Sequence, residues 1–184
     1  MRIITGTARG TRLETPDGLE TRPTAERVKE AIFSMLQFEL EGREVLDAFG
    51  GSGQMALEAL SRGAGKATIL DQSADAVRVI RKNAQKTKLY EKTVILQSDA
   101  RAFLRAAAGR KFDIVFLDPP YQSDLTETLL KKLTEGDFLR ANAVVICESD
   151  RPEPFEAEGL TLRRHAKYGR VYVTVLENKT VETQ

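Results

Sequence analysis

A glycine-rich turn between an apolar run and a helical pattern constrains this chain more than any other stretch. Residues 45–53 read VLDAFGGSG, and from Gln54 onward Met55, Leu57 and Leu60 recur at helical spacing. Glycines allow positive backbone φ angles and close approach of a ligand, and the free N–H groups at a helix start favour electron-rich atoms. The sequence therefore predicts a strand, a tight turn and a helix start that together bind a ligand.

Two cofactors fit the spacing of this turn. Gly51, Gly53 and Ala56 match the G-x-G-x-x-G/A pattern, and Asp71 follows about 20 residues later, where a dinucleotide site keeps its ribose-binding acid. Asp47 argues against NAD, because a carboxylate about 4 Å from a phosphate charge costs roughly 4 kcal/mol at an effective dielectric constant near 20. S-adenosylmethionine carries an ammonium and a sulfonium group and no phosphate, so it fits this turn better.

The composition of the chain bounds its class and its organisation. The chain has 184 residues, 41% hydrophobic and 30% charged, which suits a single globular domain over residues 1–184. We divide it into an N-terminal hairpin and helix (1–44), a cofactor-binding catalytic core (45–177) and a tail (178–184). The formal net charge of +1 creates no global field toward nucleic acid, so any such surface must come from local clusters.

The N-terminus and the scarcity of cysteine and histidine argue against several other classes. The first residues, MRIITG, form neither a signal peptide nor a membrane span, and no later apolar run is long enough for one, so we expect a cytoplasmic protein. One histidine and one cysteine argue against a zinc site, and we expect no metal. Cys147 lies in the apolar run AVVIC and is predicted to be a buried strand residue.

The residues before the glycine turn form an extension of their own. Residues 2–14 predict two short strands that turn around residues 8–10, and their three arginines precede any acid: Arg2, Arg9 and Arg12. Such a hairpin either reaches a phosphate backbone or is solvated. A helix is predicted after Thr24. Arg22, Arg27 and Lys29 are predicted to be surface charges, and the alternative for Arg22 is that it closes over the ligand.

From Val45 onward, strand patterns alternate with helix patterns, which predicts parallel strands with right-handed crossovers. After the first strand, further strands are predicted at residues 67–70, 93–96, 112–117 and 143–147, and residues 160–166 and 171–176 predict an antiparallel hairpin on the sheet edge. Helices are predicted after Ser73, over 101–108 and around 125–133. The expected fold is α/β, with a seven-stranded, mostly parallel sheet.

Four aspartates close four successive predicted strands: Asp47, Asp71, Asp99 and Asp118. Ligands of open parallel sheets bind outside the carboxyl ends of the strands, so all four are expected at one crevice. For S-adenosylmethionine, Asp71 can accept both ribose hydroxyls and Asp47 can balance the ammonium group. Asp99 can accept from the adenine amino group while the Ala100 N–H donates to the ring. A single acid of this kind often only caps a helix.

The stretch Asp118-Pro119-Pro120-Tyr121 predicts a site for a planar amine. Two prolines fix the backbone and leave carbonyl oxygens free to accept, and Asp118 adds a carboxylate oxygen beside them. Two acceptors match an NH₂ group, and Tyr121 offers a flat face to the ring that bears it. Holding both hydrogens favours the geometry in which the nitrogen lone pair attacks a methyl group. A base within an RNA helix must first be flipped out.

Four stretches together resemble the RsmD family, the 16S ribosomal RNA guanine-N2 methyltransferases, within the Class I S-adenosylmethionine-dependent methyltransferases. They are RIITGTARGTRL, TRPTAERVKEAIF, LDAFGGSGQMALEALSRGA and FDIVFLDPPY, in the family's order and spacing. The last of them contains DPPY, which is similar to the D/N-P-P-Y/F motif of enzymes that methylate exocyclic or amide nitrogens. The resemblance implies a Rossmann-like fold and methyl transfer from S-adenosylmethionine to guanine N2 of 16S rRNA, either as free RNA or within an assembling or assembled small ribosomal subunit.

The resemblance and the strand-end argument together assign the candidate site residues. The cofactor residues are Asp47, Phe49, Gly50, Gly51, Ser52, Gly53, Asp71, Gln72, Asp99 and Ala100. The residues for the guanine amine are Asp118, Pro119, Pro120 and Tyr121. The RNA-binding candidates are Arg2, Arg9, Arg12, Arg22 and Arg27. A second basic stretch, residues 163–170, can add to a positive rim, and its His165 is expected to be a surface strand residue.

Three other functions stay open at this point. With the same fold and cofactor, the target can be adenine N6 in DNA or RNA, or a glutamine amide in protein, because DPPY serves any flat amine. An NAD-dependent oxidoreductase is expected to have a larger substrate domain and a catalytic His, Tyr or Lys set, and neither is evident. A non-catalytic RNA-binding module predicts that Asp118→Ala leaves every activity intact.

Overall fold

The computed structural model describes residues 1–18, 23–120 and 124–179 and places seven strands of this part of the chain in one sheet. The strands are β1 (Glu44–Asp47), β2 (Lys66–Asp71), β3 (Thr93–Gln97), β4 (Phe112–Leu117), β5 (Leu139–Ser149), β6 (Thr161–Tyr168) and β7 (Val171–Glu177). Their order is β3-β2-β1-β4-β5-β7-β6, with β1 to β5 parallel and β7 antiparallel to both of its neighbours. The predicted α/β fold with an antiparallel edge hairpin is confirmed.

Five helices of the described residues cover the two faces of this sheet. They are α1 (Pro23–Met35), α2 (Gln54–Ser61), α3 (Ala74–Lys86), α4 (Ala100–Ala106) and α5 (Leu125–Glu135). Side chains alternate between the faces of a strand. Ile114 and Ile146 therefore join the core that contains apolar residues of α1, α2 and α3, whereas Val115 and Cys147 join the core that contains those of α4 and α5.

The central strands are buried on both faces. Every residue of β4 is buried, as its almost wholly apolar pattern predicts for a strand covered by helices on either side, and Asp113 is the one charged residue in it. Cys147 on the neighbouring strand is also buried, which confirms the prediction for this residue, and its burial raises the pKa of the thiol.

The N-terminal segment differs from the predicted pair of short strands. Residues 1–13 do fold back on themselves, with one antiparallel bridge between Arg2 and Arg12 and backbone hydrogen bonds from Ile3 N to Thr11 O (3.0 Å) and from Leu13 N to Met1 O (3.0 Å). Regular strands do not form because several backbone groups between these positions bond to helix α2 instead. The hairpin is therefore an irregular loop docked on the core.

Two residues of α2 hold this loop in place. The Glu58 carboxylate accepts hydrogen bonds from Ile4 N (2.8 Å) and Thr5 N (3.0 Å). Ser61 accepts from Thr7 N at its carbonyl (2.8 Å) and from Ala8 N at its hydroxyl (2.9 Å). Because Glu58 and Ser61 are almost completely buried, these bonds satisfy polar groups that would otherwise lie unpaired in the core.

The prediction that Lys29 is a surface charge is wrong. Its side chain is only 1% exposed, where its Nζ donates to the Arg2 carbonyl oxygen (2.6 Å) and lies 3.5 Å from the Glu58 carboxylate. Burial lowers the pKa of Lys29, and the nearby Glu58 carboxylate opposes that shift. Helical spacing placed Lys29 outside the apolar face of α1, but the docked loop covers that position.

No helix in the described ranges combines the length and apolar character needed to cross a membrane.

Candidate active site

The sheet places a crevice at the carboxyl ends of β1 and β4. The chain moves from β1 to β2 and β3 on one side, and then returns to add β4 on the other side of β1. Such a reversal of strand order is where open α/β sheets bind ligands. Asp47 ends β1, and Asp118 follows the last residue of β4, so two of the four predicted acids flank this point.

The predicted glycine turn forms the floor of the crevice next to β1. Gly51 and Gly53 adopt positive φ angles of 58° and 81°, which side chains disfavour. Gly50 leaves no room for a side chain, because a Cβ there would lie 2.6 Å from Ile69 Cγ2. Its N–H donates to the Leu70 carbonyl at 2.7 Å, so the turn is fixed against the end of β2.

Asp71 lies beside this turn, as predicted. Its carboxylate accepts hydrogen bonds from Gly51 N and Ser73 N, both at 2.9 Å and one on each oxygen. A carboxylate offers about four acceptor positions, so about two stay free to bind a diol. The two backbone bonds orient the group while leaving this capacity.

Asp99 is more heavily occupied than its predicted role requires. It caps α4 by accepting from Ala102 N at 3.0 Å, and it also accepts from Arg101 Nη2 (3.1 Å) and Gln72 Nε2 (2.8 Å). The hydrogen bond from Arg101 is the main cause of a lowered Asp99 pKa. An adenine amino group would therefore replace Gln72 or Arg101 as a donor. Among the described residues, the neighbouring Ala100 N–H has no hydrogen-bond partner.

Asp47 is a buried acid with an unsatisfied oxygen. Its Oδ1 accepts only a long bond from Phe49 N (3.3 Å), and its Oδ2 is buried without any partner. Burial raises the pKa of Asp47 to about 7, and the Asp118 carboxylate adds to the shift. The Gln54 side-chain oxygen, at the start of α2, is likewise buried without a partner. Sequence reasoning missed Gln54, whose only signal is its position directly after Gly53.

Two more carboxyl groups lie at the carboxyl ends of β4 and β5, the strands next to β1 on that side of the sheet. Asp118 is an exposed residue, and desolvation of its carboxyl group by nearby protein atoms raises its pKa to about 6. Glu148, at the end of β5, has a pKa raised well above its ordinary value by burial and by the charges of Asp118 and Asp47. Sequence reasoning missed Glu148, although it follows the apolar run of the fifth strand as the four aspartates follow theirs.

The proline loop is described only in part. Pro119 is half-buried and Pro120 is exposed, and the Pro119 carbonyl accepts no hydrogen bond from the described residues. Tyr121 lies outside the described residues, so its predicted stacking role stays a prediction.

The predicted RNA-binding arginines are exposed where the structure describes them: Arg2, Arg9, Arg12 and Arg27. Arg2 and Arg12 are bridge partners, and like charges placed directly opposite each other are destabilising unless an anion lies between them. Arg22 lies outside the described residues.

The second basic stretch is less available to RNA than its sequence suggests. Arg163 donates to the Glu39 carboxylate at 2.9 Å. The ring nitrogens of His165 contact Thr174 Oγ1 (3.0 Å) and the Pro152 carbonyl oxygen (2.8 Å). Both contacts occupy the imidazole, which leaves no free ring nitrogen to act as a base.

The strand order, the glycine turn after β1 and the acids at the strand ends define the Class I methyltransferase fold. Residues 1–177 match the family described as "Conserved hypothetical protein 95", and the chain belongs to this family. Its relatives include the ribosomal RNA small subunit methyltransferase D of Haemophilus influenzae, 34% identical over 181 residues that cover 97% of this chain and 94% of the relative.

A curated relative and a solved structure from Escherichia coli give the same assignment. The ribosomal RNA small subunit methyltransferase D of strain K12 is 37% identical over 150 residues, covering 82% of this chain and 75% of the relative. The solved structure of yhhF superimposes with a TM-score of 0.88 at 33% identity and covers 98% of each chain. The family resemblance carried by the sequence motifs is thus confirmed.

Proposed function

We propose that this protein transfers a methyl group from S-adenosylmethionine to the exocyclic N2 of a guanine in 16S rRNA. The observation that carries the proposal is the placement of Asp118 and the Pro119 carbonyl at the end of β4, next to the glycine turn that ends β1. A methyl donor in the turn and an amine on the proline loop would then meet at the switch point of the sheet. The names of the two curated relatives support a small-subunit rRNA substrate.

The residues around the glycine turn fit S-adenosylmethionine chemically. Asp47 Oδ2 and Gln54 Oε1 are buried acceptors without donors, which is what a buried ammonium group would satisfy. Asp71 keeps free acceptor positions for a ribose diol, and the Ala100 N–H is free to donate to an adenine ring. When bound, the cofactor supplies a methyl group on a positively charged sulfur. A pyrophosphate would instead face the Asp47 carboxylate, which argues against NAD.

The remaining cofactor candidates act through shape and orientation. Glycine is required at three positions of the turn, because Gly51 and Gly53 have positive φ angles and a Cβ on Gly50 would clash with Ile69 and Ile80. Ser52 is buried, and its carbonyl oxygen accepts a hydrogen bond from Asn83 Nδ2 (2.8 Å), which fixes the turn to helix α3. Phe49 packs against the core of α4 and α5, at the other end of the turn.

The proline loop performs the chemistry by holding the amine. Asp118 and the Pro119 carbonyl each accept one hydrogen of the guanine N2 group, which orients the nitrogen lone pair toward the methyl carbon. With S-adenosylmethionine bound, the nitrogen would gain the methyl group that the sulfonium loses, and Asp118 would take up the proton that the nitrogen releases. Tyr121 stacks on the base and partly offsets the free energy needed to flip it out.

The docked N-terminal loop brings the RNA to this site. Arg2, Arg9 and Arg12 are exposed on it, and Arg27 is exposed on the following helix. These four arginines, with Arg22, contact phosphates of the rRNA and contribute a salt-dependent affinity despite the nearly neutral chain. The substrate is 16S rRNA, free or within the small ribosomal subunit, which places the activity in the cytoplasm.

The test supplies labelled S-adenosylmethionine with total rRNA, small ribosomal subunits and genomic DNA, and identifies the modified nucleoside by mass. We expect N2-methylguanosine from rRNA or subunits. Asp118→Ala should abolish the label and keep the S-adenosylmethionine Kd within a few-fold of wild type. The control is Glu135→Ala, which removes an exposed acid at the end of α5, and it should leave both quantities unchanged.

Other outcomes select the rival functions. N6-methyladenosine or a labelled protein would reassign the substrate and contradict guanine specificity. A protein that binds rRNA without labelling anything would be a binding module. Equal loss of cofactor affinity and methyl transfer in Asp118→Ala would make Asp118 a structural residue.

A further inference from the structure

Glu148 is a third acid in the crevice, and none of the roles described so far uses it. In the register of the two parallel strands, Leu117 of β4 lies opposite Cys147 of β5, so Asp118 and Glu148 are the next pair along. Phe116 and Ile146 lie in the core that contains residues of α1 to α3, and alternation puts Asp118 and Glu148 on that same face. The two carboxyl groups therefore project side by side at the carboxyl ends of adjacent strands.

Asp47 belongs to the same cluster. Val45 of β1 also lies in the core on this face, and because side chains alternate along a strand, Asp47 points to the same face. Asp47 is on β1, the strand next to β4, which Asp118 follows. The charges of Asp118 and Asp47 both act on Glu148. Among the described residues, no lysine or arginine forms an ion pair with any of the three acids.

This arrangement favours a ligand that carries several hydrogen-bond donors. Like charges without counter-charges disfavour each other. Asp47 Oδ2 is fully buried without a donor, and neither Asp118 nor Glu148 forms a side-chain hydrogen bond with a described residue. An ammonium group satisfies Asp47, and an amine on the proline loop satisfies Asp118. The Glu148 carboxyl then needs a donor beside that amine.

We propose that Glu148 accepts the N1–H of the target guanine and thereby selects guanine over adenine. The inference rests on the proposed function of this site. Guanine carries its N1–H donor next to the N2 amine, whereas adenine has an acceptor nitrogen next to its amine. Adjacent strands lie about 4.8 Å apart, so neighbouring carboxyl groups can each receive one donor of the same base edge. An ionised Glu148 carboxylate accepts the N1–H and offers no donor to the N1 of adenine.

The expected effect follows from removing one hydrogen bond between a base and a carboxyl group. Such bonds contribute about 10- to 100-fold in discrimination. Glu148→Ala should lower kcat/KM for a guanine substrate by that factor and keep the S-adenosylmethionine Kd within about two-fold of wild type. Because Glu148 lies among like charges, we also expect Glu148→Gln and Glu148→Ala to melt no lower than wild type.

The experiment changes the base and the residue together. A short RNA around the guanine identified by mass is made twice, once with guanine and once with 2-aminopurine, which keeps the C2 amine but lacks both the N1–H and O6. Loss of O6 affects wild type and variant alike, so the readout is the change in preference: Glu148→Ala should reduce the wild-type preference for guanine by about 10- to 100-fold in kcat/KM. Glu148→Gln keeps an acceptor oxygen and should retain part of the preference. Glu135→Gln is the control and should behave as wild type.

The outcomes separate this inference from the proposed function. If wild type makes N2-methylguanosine but Glu148→Ala keeps the full guanine preference, Glu148 does not read N1–H. If Glu148→Ala loses cofactor affinity in step with methyl transfer, Glu148 belongs to the cofactor site. If wild type makes no N2-methylguanosine, the proposed function itself fails.

Discussion

Docking of the N-terminal loop can be tested with two glycines that have similar positive φ angles and different surroundings. Gly6 and Gly10 have φ angles of 90° and 82°. A Cβ on Gly6 would lie 1.7 Å from the Ser61 carbonyl oxygen, whereas a Cβ on Gly10 would meet no atom within 4 Å. Gly6→Ala therefore forces the loop away from α2, and Gly10→Ala adds only the backbone penalty.

The two variants are expected to differ in their free energy of unfolding. A left-handed conformation costs an alanine about 1–2 kcal/mol, which applies to both. Gly6→Ala adds overpacking of about 1–3 kcal/mol and weakens the bonds from Thr7 N to Ser61 O and from Thr5 N to Glu58. We expect Gly6→Ala to be less stable than Gly10→Ala by about 2–4 kcal/mol. For a chain of this size that difference lowers Tm by roughly 5–15 °C.

RNA binding gives a second measurement on the same pair of variants. If Arg2, Arg9 and Arg12 each contact a phosphate, displacing the loop should reduce the slope of log K against log salt by about 3. Calorimetry measures Tm, and filter binding of rRNA at several salt concentrations measures the slope. Equal melting temperatures and equal salt slopes for the two variants would refute the docking of this loop on α2.

Two further predictions concern the cofactor turn. Asn83→Asp should weaken S-adenosylmethionine binding several-fold and lower Tm, because Asn83 Nδ2 donates to the Ser52 and Glu14 carbonyls and a carboxylate there would repel both. Asn83→Ser should have a smaller effect. Unchanged cofactor affinity in Asn83→Asp would contradict a role of Asn83 in holding the turn. Cofactor affinity, measured by calorimetry, should rise between pH 5.5 and 7, because the ammonium binds ionised Asp47, whose pKa is about 7. Asp47→Asn should remove that rise. A raised pKa stabilises the folded protein at acid pH, so unliganded wild type should lose stability relative to Asp47→Asn as pH rises from about 4 through 7.

The sequence specified the sheet because its signals are local. Strand patterns ending in an acid or a glycine, and helices with one apolar face, recur in an order that allows few topologies. The parallel core, the edge hairpin and the burial of Cys147 followed from those patterns. The positions of Asp47 and Asp118 at one crevice followed from the strand order alone.

The buried polar contacts could not be predicted, because they join residues far apart in sequence. Lys29 looked like a surface charge until Glu58 and the Arg2 carbonyl were found beside it. Asp99 was expected to serve the adenine ring, but the nearby Arg101 and Gln72 side chains also bond to it. A side chain's partners depend on which elements pack together, and residue spacing does not carry that information.

The same buried contacts connect the proposed RNA-binding loop to the cofactor turn. Asn83 on α3 donates from Nδ2 to the carbonyl oxygens of Ser52 in the turn and of Glu14 at the end of the loop, and its Oδ1 accepts from Glu14 N. The Ser52 hydroxyl also donates to the Met1 sulfur at 3.2 Å. Groups that share one hydrogen-bond network do not respond independently, so a shift of the loop changes the free energy of the turn. Ordering of the loop by RNA and binding of the cofactor are therefore expected to be coupled, and by linkage the coupling acts equally in both directions.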